Sequence, residues 1–124
     1  MVLFTASKVD VEQMDDLNAF VIAFAEKEDG TGRRLELQRS LQHDDQDAAL
    51  GMDTYCLCNS DGASYYGGIA EWSIDSGGLD LTLHENAASS LGVPVKFRVG
   101  FLLPEGGLQR LGASLRRVID DVDA

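Results

Sequence analysis

Alternation of apolar and polar side chains is the dominant pattern along this chain. In "NAFVIAFAE" it sets Phe20, Ile22 and Phe24 on one face and the small residues Ala19, Val21, Ala23 and Ala25 on the other. Both faces are apolar, which predicts a strand in the interior of a sheet. "EKEDGTG" turns the chain, with Asp29-Gly30 as the turn signal. "RRLELQRSL" returns with Leu35, Leu37 and Leu41 inward and Glu36, Gln38 and Ser40 outward, completing a hairpin.

The alternation breaks at "HDDQDAALG". Asp44, Asp45 and Asp47 stand where carboxylates favour the positive end of a helix, and Gly51 suits the residue that ends one, so a short helix is predicted. Met52 to Cys58 then forms a strand, Asn59-Ser60-Asp61-Gly62 a turn, and Ser64 to Asp75 a long return strand. Gly67 and Gly68 interrupt that return and signal a bulge or a close backbone approach. "LDLTLH" is the next strand, with Leu79, Leu81 and Leu83 inward. "HENAASSLG" is a second short helix, and "VKFRVGFLL" a strand with Val95, Phe97, Val99, Phe101 and Leu103 inward. A C-terminal helix follows from the stripe Leu108, Leu111, Leu115, Val118, Ile119 and Val122. The predicted architecture is α+β. It is one domain over residues 1–124, an antiparallel meander of six or seven strands with two short helices and the C-terminal helix packed on one face.

Charge narrows the functional classes. Twenty-one acidic residues against ten Lys and Arg give a formal net charge of -11. A field of that sign repels nucleic-acid backbones and anionic lipid heads and attracts basic partners, so neither nucleic acid nor membrane is expected as a partner. A solvated acidic surface that keeps the protein soluble accounts for the same composition. The N-terminus "MVLFTASKVD" has neither a basic leader nor a long apolar run. With Cys56 and Cys58 the only cysteines, the expected compartment is the cytoplasm.

The candidate chemistry is thin. Cys56 and Cys58, two apart on a strand, share a face at a spacing too tight for an ordinary structural disulfide. Zinc would need two further ligands, and the chain offers only the isolated His43 and His84, so no metal and no other cofactor is expected. Neither histidine stands beside a nucleophile in a recognisable motif, so no catalytic residues are assigned. "GASYYGG" lacks the lysine and the strand–loop–helix setting of a phosphate loop. The aspartates at 44, 45, 47 and 53 lack the oxygen pattern of a calcium loop; they either cap a helix or face a partner.

Several segments together resemble the Imm10 family, the immunity proteins of bacterial polymorphic toxin systems. They are "LQRSL", the run "DQDAALGMDTYC" from Asp45 to Cys56, "YGG" at Tyr66 to Gly68, "AASSLG" and "LRRVI". The resemblance implies a non-enzymatic protein that binds and neutralises a cognate toxin, with no catalytic residues to carry over. An acidic inhibitor suits a toxin with a basic active-site cleft. The toxin-facing residues expected on this reading are Asp44, Asp45, Asp47 and Asp53, with Tyr55 and Glu71 as neighbours. Two alternatives remain at this point: an enzymatic or small-ligand domain with a pocket near Tyr55, Tyr66 and His84, and a homo-oligomeric scaffold.

Overall fold

A computed structural model describes residues 2–41 and 54–120. The described residues fold into nine strands in two sheets. The strands are β1 (Val2–Thr5), β2 (Lys8–Met14), β3 (Ala19–Ala25), β4 (Arg34–Ser40), β5 (Cys56–Asn59), β6 (Ser64–Tyr66), β7 (Ile69–Asp75), β8 (Gly78–Leu83) and β9 (Lys96–Gly100). Helix α1 (Glu85–Leu91) lies between β8 and β9, and α2 (Gly107–Ile119) follows β9. One sheet has the order β1-β9-β8-β7, the other β2-β3-β4-β5-β6. α+β is therefore right as a broad class, but the single meander of six or seven strands is not. The pair β1–β9 is also parallel, where an all-antiparallel sheet was expected.

Two corners divide what reads as one sheet into two. At the first, Ala6 donates its amide to Gly100 O (2.7 Å) in one sheet, and Ser7 donates to Ala25 O (2.9 Å) in the other. The second corner is Gly67-Gly68, and it cuts the predicted strand from Ser64 to Asp75 in two. Gly67 N–H donates to Tyr55 O and Gly68 O accepts from His84 N–H, each at 2.8 Å. Both glycines have positive φ, +74° and +98°. Glycine adopts backbone of that kind at little cost, whereas a residue with a Cβ is strained there. Tyr66 and Trp72 consequently belong to different sheets.

The inner faces of both sheets meet in one core. Phe20, Ile22, Phe24, Leu35, Leu37 and Leu57 come from the five-stranded sheet, and Leu79, Leu81, Leu83, Phe97 and Val99 from the other. Helix α1 adds Ala87, Ala88 and Leu91, and α2 adds Leu111, Leu115 and Val118. Gly92, at φ +67°, ends α1 in the left-handed conformation that the glycine there predicts. Helix α2 packs against β3, β4 and β7, so it touches both sheets from the core side. Its cover is not confined to one face of a single sheet. Val95, expected inward, is exposed because β9 begins only at Lys96. The predicted first short helix lies outside the described residues.

Candidate functional site

With both helices drawn into the core, the opposite face of the five-stranded sheet carries the outward side chains of β2 to β6. Strand register sets them in rows. One row is Asp10, Ala23, Glu36, Cys58 and Ser64; the next is Glu12, Val21, Gln38, Cys56 and Tyr66. The middle of the face, β3, contributes only Ala19, Val21 and Ala23, so a groove of about 420 Å³ runs along it. Asp10 and Glu12 form one wall, Glu36 and Gln38 the other, and Met14 and Leu17 line it as well.

The walls are partly neutralised from within. Lys8 Nζ lies 3.4 Å from Asp10, and Arg34 pairs with Glu36. Gln38 donates its amide to the second oxygen of Glu36 at 3.0 Å. Two of the larger exposed apolar side chains border this face: Leu17, 68% exposed, and Tyr66, 44% exposed.

Cys56 and Cys58 share this face, as their spacing predicts, with Sγ atoms 3.8 Å apart and no disulfide between them. Burial pushes the Cys58 thiol up to about 12, helped by the neighbouring Cys56 and by Glu36. A thiol held protonated is a poor nucleophile and a poor metal ligand. Changing both cysteines to serine should leave a folded protein, checked by thermal unfolding. A large fall in the unfolding midpoint would show that the pair is needed for packing.

The other face of the protein, on β7 to β9, is held by a charge network. Arg98 donates to Asp75 and to Asp80, each at 2.6 Å. These contacts hold the Asp75 carboxyl below the usual range, the hydrogen bond from Arg98 being the main cause. Glu71 is exposed on β7, opposite Thr82.

The residues expected at the surface fall in three places. Asp44, Asp45, Asp47 and Asp53, with His43, lie outside the described residues. Glu71 is on the four-stranded sheet. Tyr55 is a correction: it is only 6% exposed, and its hydroxyl accepts the amide of Ile69 at 2.8 Å. Burial raises the pKa of that hydroxyl. Tyr55 thus fastens the Gly67-Gly68 corner from inside and offers no surface contact. His84 is exposed, and its backbone carbonyl accepts the amide of Ala88 at the start of α1. The groove on the sheet face and two others, of about 360 and 350 Å³, are lined by other residues than Tyr55, Tyr66 and His84. Asp10 and Glu12 were not expected; the alternation Val9, Asp10, Val11, Glu12 is the signal that places them.

Among the described residues, no three His, Cys, Asp or Glu side chains converge as a metal set. No helix among them is long and apolar enough to cross a membrane. What the chain matches is the family model for immunity protein 10, Imm10, over residues 5–109. The chain belongs to the Imm10 family. The matched span runs from the end of β1 into the first turn of α2, so it takes in both sheets, both corners and the grooved face. The resemblance to the Imm10 family is thereby upheld. No curated protein and no solved structure matches the chain.

Proposed function

We propose that this Imm10 protein is a non-enzymatic inhibitor that binds a cognate bacterial toxin through an acidic surface and neutralises it in the cytoplasm. The observation that carries this reading is the family match over most of the chain. Immunity protein families are generally non-enzymatic, and the net charge of -11 favours a toxin with a basic cleft, which opposite charge would draw in quickly.

On this reading Asp44, Asp45, Asp47, Asp53 and Glu71 contact the toxin. The acidic segment 42–53 leaves after Leu41, at the end of β4, and returns at Thr54, ahead of β5. β4 and β5 are paired neighbours, with Gln38 opposite Cys56 on the grooved face. Leu41 and Thr54, the described residues on either side of 42–53, thus stand at the same end of the five-stranded sheet.

The test is co-expression with a candidate cognate toxin domain, sought in the reading frames beside this gene. Cells carrying the toxin with this protein should grow, and cells carrying the toxin alone should not. Equal killing in both would sink the reading.

A further inference from the structure

We propose that the grooved face of the five-stranded sheet is the docking surface for an extended, basic segment of the partner protein. The segment would lie over Val21 and Ala23 with its cationic side chains against Glu12 and Glu36. This rests on the toxin-binding reading and gives it a place on the fold.

The shape of the face comes first. Its floor is built from the outward side chains of β3, none larger than valine. The walls stand on β2 and β4, two strand spacings apart, or about 9.6 Å between backbones. That width admits one extended chain whose backbone can approach the floor closely. Asp10 and Glu12 alternate along β2, so they repeat at about 6.8 Å. An extended segment presents every second side chain at the same interval, which matches cations at alternate positions to these carboxylates.

Charge selects the occupant. Asp10 and Glu36 already have partners in Lys8 and Arg34, whereas Glu12 has no ion-pair partner among the described residues. An arriving Arg or Lys would lay its stem on Val21 and place its head between Glu12 and Glu36. A second copy of this chain is a poor occupant, because it would bring the same carboxylates against these and adds another -11 to the complex. Leu17 and Tyr66 add the exposed apolar and aromatic contacts that mark protein interfaces. The carboxylates are therefore set into a surface with an apolar floor and an aromatic border.

The test uses the full chain, labelled with 15N, and two blocked pentapeptides, Arg-Val-Arg-Val-Arg and Glu-Val-Glu-Val-Glu. The arginine peptide should produce saturable shifts at the amides of Val21, Ala23, Glu36 and Gln38; the glutamate peptide should produce none. Glu12→Lys, if its spectrum shows it folded, should weaken binding at least about tenfold, as loss of a close charge pair does. Glu105→Lys makes the same change in net charge away from the groove and should weaken it less than about twofold. Absent or non-saturable shifts, shifts on another surface, or equal weakening by both variants would overturn the proposal. A second arm uses Ala23→Phe, which fills the groove without changing charge, in cells carrying the toxin. Loss of protection by this folded variant supports the docking surface. If it protects as well as wild type, the docking surface is wrong and the immunity reading stands. If wild type gives no protection while the arginine peptide binds in the groove, the toxin reading fails and the surface stands.

Discussion

Replacing Gly68 with alanine should destabilise the protein far more than the same exchange at Gly62. An added Cβ would lie 2.5 Å from Ala87 Cβ and 3.1 Å from the Tyr65 ring. Overpacking of this kind costs about 1–3 kcal/mol. The backbone at φ +98° adds roughly 1–2 kcal/mol for a residue that carries a Cβ. Gly62 is the control: it has φ +83°, but an added Cβ would meet nothing within 4 Å. Gly62→Ala should therefore show only the backbone cost. Denaturant unfolding of both variants gives the difference directly. Equal midpoints would mean that the corner moves away from α1 without penalty. Because Gly68 joins the two sheets, protection by Gly68→Ala should fall with the folded fraction rather than through a lost contact.

Charge reversal in the acidic segment should have the largest effect on affinity. Changing two of Asp44, Asp45, Asp47 and Asp53 to lysine should slow association with the toxin and flatten its dependence on salt. Truncating one of them, if it is paired with a toxin Arg or Lys and desolvated, should cost about 2–5 kcal/mol, mostly through faster dissociation. If these aspartates only cap a helix, Asp→Asn changes would lower stability by about 1 kcal/mol or less and leave affinity unchanged. Measuring association kinetics and unfolding on the same variants separates the two roles. Unchanged association across all of them would leave the grooved sheet face as the remaining candidate.

Period-2 alternation made the individual strands legible. It placed Phe20, Ile22 and Phe24 inward on β3 and Leu79, Leu81 and Leu83 inward on β8, and all six are buried. The stripe at helical spacing likewise predicted α2, with Leu111, Leu115 and Val118 in the core. Alternation reports which face a side chain takes, but not which sheet a strand joins. A corner of two residues costs the pattern nothing, and Ser64 to Asp75 therefore reads as one strand although it crosses between sheets. Gly67 and Gly68 carried the only local sign of that crossing. The partnering of β1 with β9 is a contact between opposite ends of the chain, and nothing near Val2–Thr5 encodes it. β2 alternates, yet its inward Val9 is only half-buried and Val11 is exposed, so the apolar signal is weak.

The candidate site was legible to a smaller degree. The Cys56–Cys58 face follows from strand geometry alone. Tyr55 shows the opposite case. An aromatic residue with a polar tip suits a contact surface or a buried hydrogen bond equally well, and the amide of Ile69 that decides between them is fourteen residues away. The grooved face depends on three strands laid side by side. The small residues on β3 are conspicuous in sequence, but their meaning as a floor between acidic walls exists only once β2 and β4 flank them.

The most direct test of the account is a titration of the purified toxin with the purified protein, following the toxin's own activity. The account predicts a linear fall to complete inhibition at one equivalent, with the inhibited pair eluting as a single complex. Full toxin activity in the presence of a large molar excess would contradict it.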